Sequence, residues 1–330
     1  MSAQLPPFSL LDLATVGRDQ PIARALEETL TLARRADELG AFERLWFAEH
    51  HNMPRIASAA TSVLIAHVAA NTERIRVGSG GVMLPNHAPL VIAEQFGTLA
   101  ELHPGRIDLG LGRAPGTDGA TMRALRVDPR ASESFPDDVR ELQGYFADES
   151  RVEGIHAYPG RGTSVPLYIL GSSLFGAQLA AAYGLPYAFA SHFAPDALEQ
   201  AVRTYRAQFT PSEQLSAPHV IAAVNVIAAD DSPTALAARE KVLHARVRML
   251  AGRVGSGRLD EATVAALLDT AVGAQARHML HYTVVGDPGE VTAGLADFAA
   301  RADADELMIT NPAPGLDQRL RTLEILAGLR

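Results

Sequence analysis

No cysteine occurs anywhere in the 330-residue chain. That absence excludes disulfide bridges, thiolate metal ligands and a cysteine nucleophile together, and it fits a cytoplasmic location. Long apolar runs are missing too: nothing reaches the roughly 18 consecutive apolar residues that a membrane span needs. The opening stretch MSAQLPPFSLLDLATVG puts no positive charge ahead of its apolar residues and is broken at Pro6 and Pro7, so no secretory leader is expected. There is no basic run, and 29 basic against 38 acidic residues, a formal charge of -9, argue against a nucleic-acid face. A dinucleotide fingerprint is absent as well. Gly110, Gly112 and Gly116 approach the G-x-G-x-x-G pattern, but their last interval is one residue too long.

What remains is a globular composition, 47% hydrophobic and 20% charged, in which two kinds of segment alternate. Short apolar runs at 8–14, 44–48, 75–80, 106–111, 166–170, 186–190, 219–229 and 306–310 read as buried strands. Between them lie helical patterns. In 21–40, for example, Ile22, Ala25, Leu26, Leu30, Ala33, Ala36 and Leu39 recur at helical spacing, with Pro21 opening the run and Gly40 closing it. Similar patterns cover 57–71, 88–102, 174–183, 195–209 and 317–329, and a long Ala- and Arg-rich helical region is expected over 233–282. Eight short apolar strands with helical crossovers predict an α/β fold, a parallel sheet closed as a (β/α)8 TIM barrel. One domain spanning 1–330 is expected, with insertions near 113–165 and 245–282.

In such a barrel the chemistry gathers at the C-terminal ends of the strands, and the unusual residues of this chain fall there. They are Asp12; Glu49, His50, His51 and Asn52; Gly78 to Gly81; Arg113; Gly171, Ser172 and Ser173; and Ser191 with His192. Paired histidines invite a metal, yet ligands on a strand are best placed two apart, on one face. Adjacent His50 and His51 point oppositely, so no metal site is expected; one ring can face the barrel mouth while the other packs or bonds backbone. Gly171, Ser172 and Ser173 lead straight into a helix, where backbone N–H groups and hydroxyls make an anion site, or where a serine merely caps the helix. Arg113 emerges beside glycines and can grip a phosphate with its planar guanidinium, unless it is a solvated surface residue. Gly78, Gly80 and Gly81 leave backbone without Cβ atoms against which a flat ring can rest, although turn geometry explains them too. His87, just ahead of a helix, is expected at most to cap it.

Three segments carry a family resemblance: FAEHHNMP, VGSGGVMLPNHAPLVIAEQFGTLAELHPGRIDLGLGR and LGSSLFGAQLAAAYGLPYAFASHF. In order and spacing the chain resembles the bacterial luciferase-like flavin monooxygenases, and among them the single-chain luciferase-like oxidoreductases. The resemblance implies a (β/α)8 barrel that takes reduced FMN, reacts it with O2 through a C4a-peroxyflavin and oxidises an aldehyde or another small apolar compound. It places His50 at the family's active-site histidine with Glu49 and His51 beside it, and Glu49 or Asn52 is expected to orient that ring. Gly80 and Gly81 fall at the family's non-proline cis peptide under the flavin, and Arg113 and Ser173 at phosphate-contacting positions, with Gly176 adding a backbone donor. A separate NAD(P)H:flavin reductase and a homodimer are the implied partners. Gly112 stands where the light-emitting catalytic subunit has cysteine, so light emission is not implied. An F420-dependent dehydrogenase on the same barrel, or a flavin-binding protein without turnover, are the alternatives.

Overall fold

A computed structural model describes residues 5–114, 117–252 and 259–330. Nine parallel strands form one sheet: β1 (Phe8–Asp12), β2 (Phe42–Phe47), β3 (Arg76–Met83), β4 (Ile107–Gly112), β5 (Leu167–Gly171), β6 (Tyr187–Phe189), β7 (Val220–Ala228), β8 (Thr283–Gly286) and β9 (Glu306–Thr310). Their order is β6-β5-β4-β3-β2-β1-β9-β7-β8, and a further β6–β7 pairing closes the barrel. The eight strands expected from sequence are the eight that close it. Around them lie α1 (Ile22–Leu39), α2 (Thr61–Ala69), α3 (Pro89–Leu102), α4 (Gly119–Ala124), α5 (Phe135–Ala147), α6 (Leu174–Tyr183), α7 (Leu198–Gln208), α8 (Ser232–Gly252), α9 (Glu261–Leu267), α10 (Ala271–Met279), α11 (Pro288–Ala302) and α12 (Leu316–Ala327). Among the described residues no helix is long and apolar enough to cross a membrane.

Three local expectations are corrected. Strand β8 and helix α11 lie outside the sequence pattern; β8 pairs with Asn225–Ala228 of β7 outside the closed barrel and is mostly half-buried, so its run lacks the fully buried character of the barrel strands. The helical region expected over 233–282 contains, among the described residues, α8, α9 and α10, where Asp260 caps α9 by accepting from the Thr263 N–H and Thr270 caps α10 by accepting from the Val272 N–H. Helix α2 starts at Thr61 rather than 57, since the residues before it are tied to the barrel: Ile56 bridges to Thr15 and the Ser58 hydroxyl donates to the Ala48 carbonyl.

Period-two alternation sorts each strand between two environments. Phe8, Leu10, Leu45, Phe47, Leu109 and Ile169 pack outward in the main core with the helices. Inside the barrel, Trp46, Tyr168, Ala188, Ile221, Ala223 and Met308 cluster, with Leu11 and Leu170 against them, and the Trp46 and Tyr168 rings meet edge-on at 4.9 Å. Below this layer, near the strands' N-terminal ends, the barrel is ionic. Buried Arg44 donates to Asp108 at 2.8 Å, to both Glu306 oxygens at 2.8 and 3.1 Å, and to the Tyr168 hydroxyl at 2.9 Å. The floor is thus plugged by paired charges, and chemistry is left to the opposite, C-terminal end.

Candidate active site

Strand β2 runs out into Glu49, whose carboxylate is 1% exposed and organises its surroundings. Its oxygens lie 2.7 Å from His51 Nε2, 2.9 and 3.0 Å from His87 Nε2, and 3.0 Å from the Met83 backbone N–H. A carboxylate can only accept, so both rings present Nε2–H to it. Burial opposes the charge on Glu49, but His87, His51 and the Met83 N–H outweigh it and hold the carboxyl below its ordinary range. Ligand atoms of Glu49, His51 and His87 lie within 4.8 Å of one another, a grouping that could in principle hold a metal. The contacts of 2.7 and 2.9 Å are nevertheless hydrogen-bond lengths; ligands around a zinc ion stand roughly 3.3 Å apart, given Zn–N bonds of about 2.0 Å.

His50 takes a different course from its neighbour. Its Nδ1 is buried and makes no hydrogen bond, and burial lowers its pKa from the ordinary histidine value, with the Ala48 carbonyl and Glu49 pulling the other way. Asn52 has a left-handed backbone, φ 56°, which asparagine tolerates better than most residues, and its amide donates to the Thr121 hydroxyl of α4 at 3.0 Å. The side-chain bonds of Glu49 and Asn52 therefore run to His51, His87, Asn86, the Met83 N–H and Thr121 and not to His50.

Beside this cluster the Gly80–Gly81 peptide is cis. A Cβ on Gly80 would stand 2.8 Å from Leu11 Cδ1 and 2.9 Å from Trp46 Cβ, and one on Gly81 would stand 2.6 Å from the Gly110 carbonyl oxygen. Neither position has room for a side chain. Close packing against Leu11, Trp46 and the β4 backbone thus demands glycine at both positions and leaves this stretch of β3 as bare backbone, a cradle without side chains.

Past β4 the Arg113 guanidinium lies over the Phe175 ring, 3.9 Å from its centroid, which brings it to the start of α6. Ser173 occupies the N-cap of that helix, yet its hydroxyl makes no capping bond, and Ser172 and Ser173 are both exposed. The tip is braced from behind: the Tyr187 hydroxyl donates to the Ser173 carbonyl at 3.0 Å, and a Cβ on Gly176 would come within 3.2 Å of the Tyr187 ring. An arginine, two uncommitted hydroxyls and a helix N-terminus thus converge, next to Gly171 at the end of β5. Gly116, the third glycine of the near-fingerprint, lies outside the described residues.

A family comparison covers most of the chain. The model of the luciferase-like monooxygenases matches residues 7–305. The chain belongs to the luciferase-like monooxygenase family. A luciferase-like monooxygenase of Escherichia coli (strain K12) is 46% identical over 319 residues, 96% of this chain and 95% of its own length. The crystal structure of apo-MsnO8 has a TM-score of 0.87 at 33% identity, covering 100% of this chain and 98% of that one. At 15% identity, the oxygenating constituent of 3,6-diketocamphane monooxygenase from the CAM plasmid of Pseudomonas putida, in complex with FMN, shares the fold with a TM-score of 0.74 over 98% of this chain and 97% of that one.

For a luciferase-like monooxygenase the residues present fit a flavin nucleotide. The glycine cradle suits a flat ring, the Arg113–Ser172–Ser173 corner suits an anion, and buried unpartnered ring nitrogens of His50 and His192 offer polar contacts. Sequence reasoning undervalued two of these residues. His87 is no mere helix cap, because it reaches back to Glu49 across 38 positions, and local pattern carries no trace of that pairing. His192 was visible only as a polar residue after β6.

Proposed function

We propose that the chain is an FMN-dependent monooxygenase that uses reduced FMN and O2 to oxidise a small apolar, aldehyde-like substrate. The observation that carries this reading is the Arg113 guanidinium stacked at the uncapped Ser172–Ser173 start of α6, a ready dianion site for a flavin phosphate. Reduced FMN, when bound, supplies the two electrons that let O2 deliver one oxygen atom to the substrate and the other to water. Arg113, Ser172 and Ser173 bind the phosphate, with Gly176 adding a backbone N–H and Gly171 leading the chain from β5 into the site. Gly80 and Gly81 support the ring, and Leu11, Trp46 and Leu170 exclude water beneath it. His50, held neutral by burial, takes a proton at its ring nitrogen, while Glu49 fixes His51 and His87 alongside and Asn52 shapes the loop against α4.

The proposal includes one domain with insertions near 113–165 and 245–282, a cytoplasmic homodimer, and supply of reduced flavin by a separate NAD(P)H:flavin reductase. The missing dinucleotide fingerprint motivates the separate reductase, although a fingerprint is not needed by every flavin enzyme that binds nicotinamide. The test is substrate-dependent O2 uptake by the purified protein with photoreduced FMN and a panel of aldehydes. Uptake that yields the carboxylic acid supports the reading. Anaerobic turnover with F420 and none with reduced FMN and O2 would replace it by the dehydrogenase alternative, and tight flavin binding without substrate-dependent uptake would leave a flavin-holding protein.

A further inference from the structure

The Nδ1 atoms of His50 and His192 are both buried without a hydrogen-bond partner. His50 already has a part in the proposed reaction; His192 has none. Yet the loop that carries His192 is built with care. The Ser191 hydroxyl donates to the Ala223 carbonyl at 2.5 Å, Asn225 donates to the His192 carbonyl at 2.7 Å, and Asn225 is itself held by the Thr310 hydroxyl at 2.6 Å. The imidazole packs edge-on against Phe193 at 4.9 Å. Such anchoring fixes a ring whose polar atom the protein itself leaves unsatisfied, and a buried unsatisfied group destabilises the fold unless something else pairs with it.

We propose that His192 is a second ligand-contacting residue of the barrel mouth, its Nδ1 making a hydrogen bond to a polar atom of the flavin or substrate held beside His50. Burial pushes the His192 pKa down to about 3, with the positive charge of Arg246 adding to the effect. The ring is therefore neutral at working pH and acts by hydrogen bonding, not by charge. This rests on the mouth being the flavin site proposed above.

Two variants and one spectrum test it. His192→Phe keeps an aromatic ring and removes the polar atoms, and His192→Asn keeps a hydrogen-bonding atom near the place of Nδ1. Turnover with saturating reduced FMN is expected to fall about tenfold or more in the Phe variant, the loss of one hydrogen bond, and to be partly restored in the Asn variant. The melting temperature of the ligand-free Phe variant is expected to hold or rise. In the wild type, the His192 ring nitrogens should shift in the NMR spectrum on adding oxidised FMN if the flavin is the partner, or only on adding aldehyde if the substrate is. Turnover of the Phe variant within about twofold of wild type, a fall in melting temperature that tracks lost turnover, or His192 resonances indifferent to both ligands would overturn the assignment. If the wild type binds no flavin at all, the functional reading fails instead, and the ligand-free melting comparison still reports whether His192 carries an unsatisfied group.

Discussion

At His50 and Glu49, neighbours in sequence, burial wins in one case and loses in the other. His50 has few partners, so desolvation wins and its pKa falls; Glu49 has three strong donors, so they win and its pKa falls as well. A histidine shifted downward stays neutral, and so able to take a proton, at and below the ordinary value of about 6.5. If His50 is the base, kcat/KM should stay level from pH 8 to below about 6.5 and decline only under that value. His50→Gln should lower turnover by roughly 10²- to 10⁴-fold with little change in flavin affinity; a pH–rate series on both proteins checks this, and unchanged turnover in the variant would remove His50 from the mechanism. Glu49→Gln addresses stability. The amide accepts at one atom but turns an N–H toward a donor at the other, so a loss of about 2–3 kcal/mol is expected in urea unfolding at pH 7.

At the scale of elements, the site is where strand ends and one helix start meet, and those junctions were legible to different degrees. The barrel strands stood out because each is apolar and bounded by turn residues, and the glycines of β3 stood out because no ordinary strand packs that way. Helix α11 carries a local start signal as well, since Asp287 and Glu290 form a capping box with Pro288 in the first turn. The Glu49–His87 bond and the stacking of Arg113 on Phe175 were not readable, because both join residues brought together only when strands pair. The Arg113 junction yields a discriminating test. Arg113→Ala should weaken FMN binding at least tenfold while leaving riboflavin, which lacks the phosphate, nearly unaffected; equal losses in fluorescence titrations would contradict the phosphate role. Gly81→Ala makes a second test, since its Cβ would meet the Gly110 carbonyl oxygen at 2.6 Å. Overpacking of that kind costs about 1–3 kcal/mol and should displace the cradle, so thermal stability and flavin binding are expected to fall together.

For the molecule as a whole, the barrel divides labour between its ends. The mouth keeps polar atoms unpaired, and the floor pairs almost every charge it buries. Arg44 spans Asp108 and Glu306, Trp46 Nε1 donates to Asp108 at 3.1 Å, and His219 Nε2 lies 3.1 Å from Glu306. Burial pushes the Glu306 carboxyl up, but His219, Arg44 and Ser9 more than compensate and hold it at about 2. A folded pKa depressed below the unfolded value of about 4.3 means that this group's contribution is complete above about pH 4.3 and is lost as pH falls from there toward 2. Urea midpoints should accordingly be nearly constant from pH 7 to 5 and drop steeply below. Arg44→Met removes the partner the two carboxylates share and leaves Asp108 to Arg76 and Trp46 and Glu306 to His219 and Ser9, for an expected loss of about 3 kcal/mol at pH 7. Because protonation relieves the Glu306 carboxylate once Arg44 is gone, the gap between variant and wild type should narrow between pH 7 and pH 4. A gap that stays constant over that range would mean that Arg44 stabilises the floor through packing of its long side chain and not through its charge.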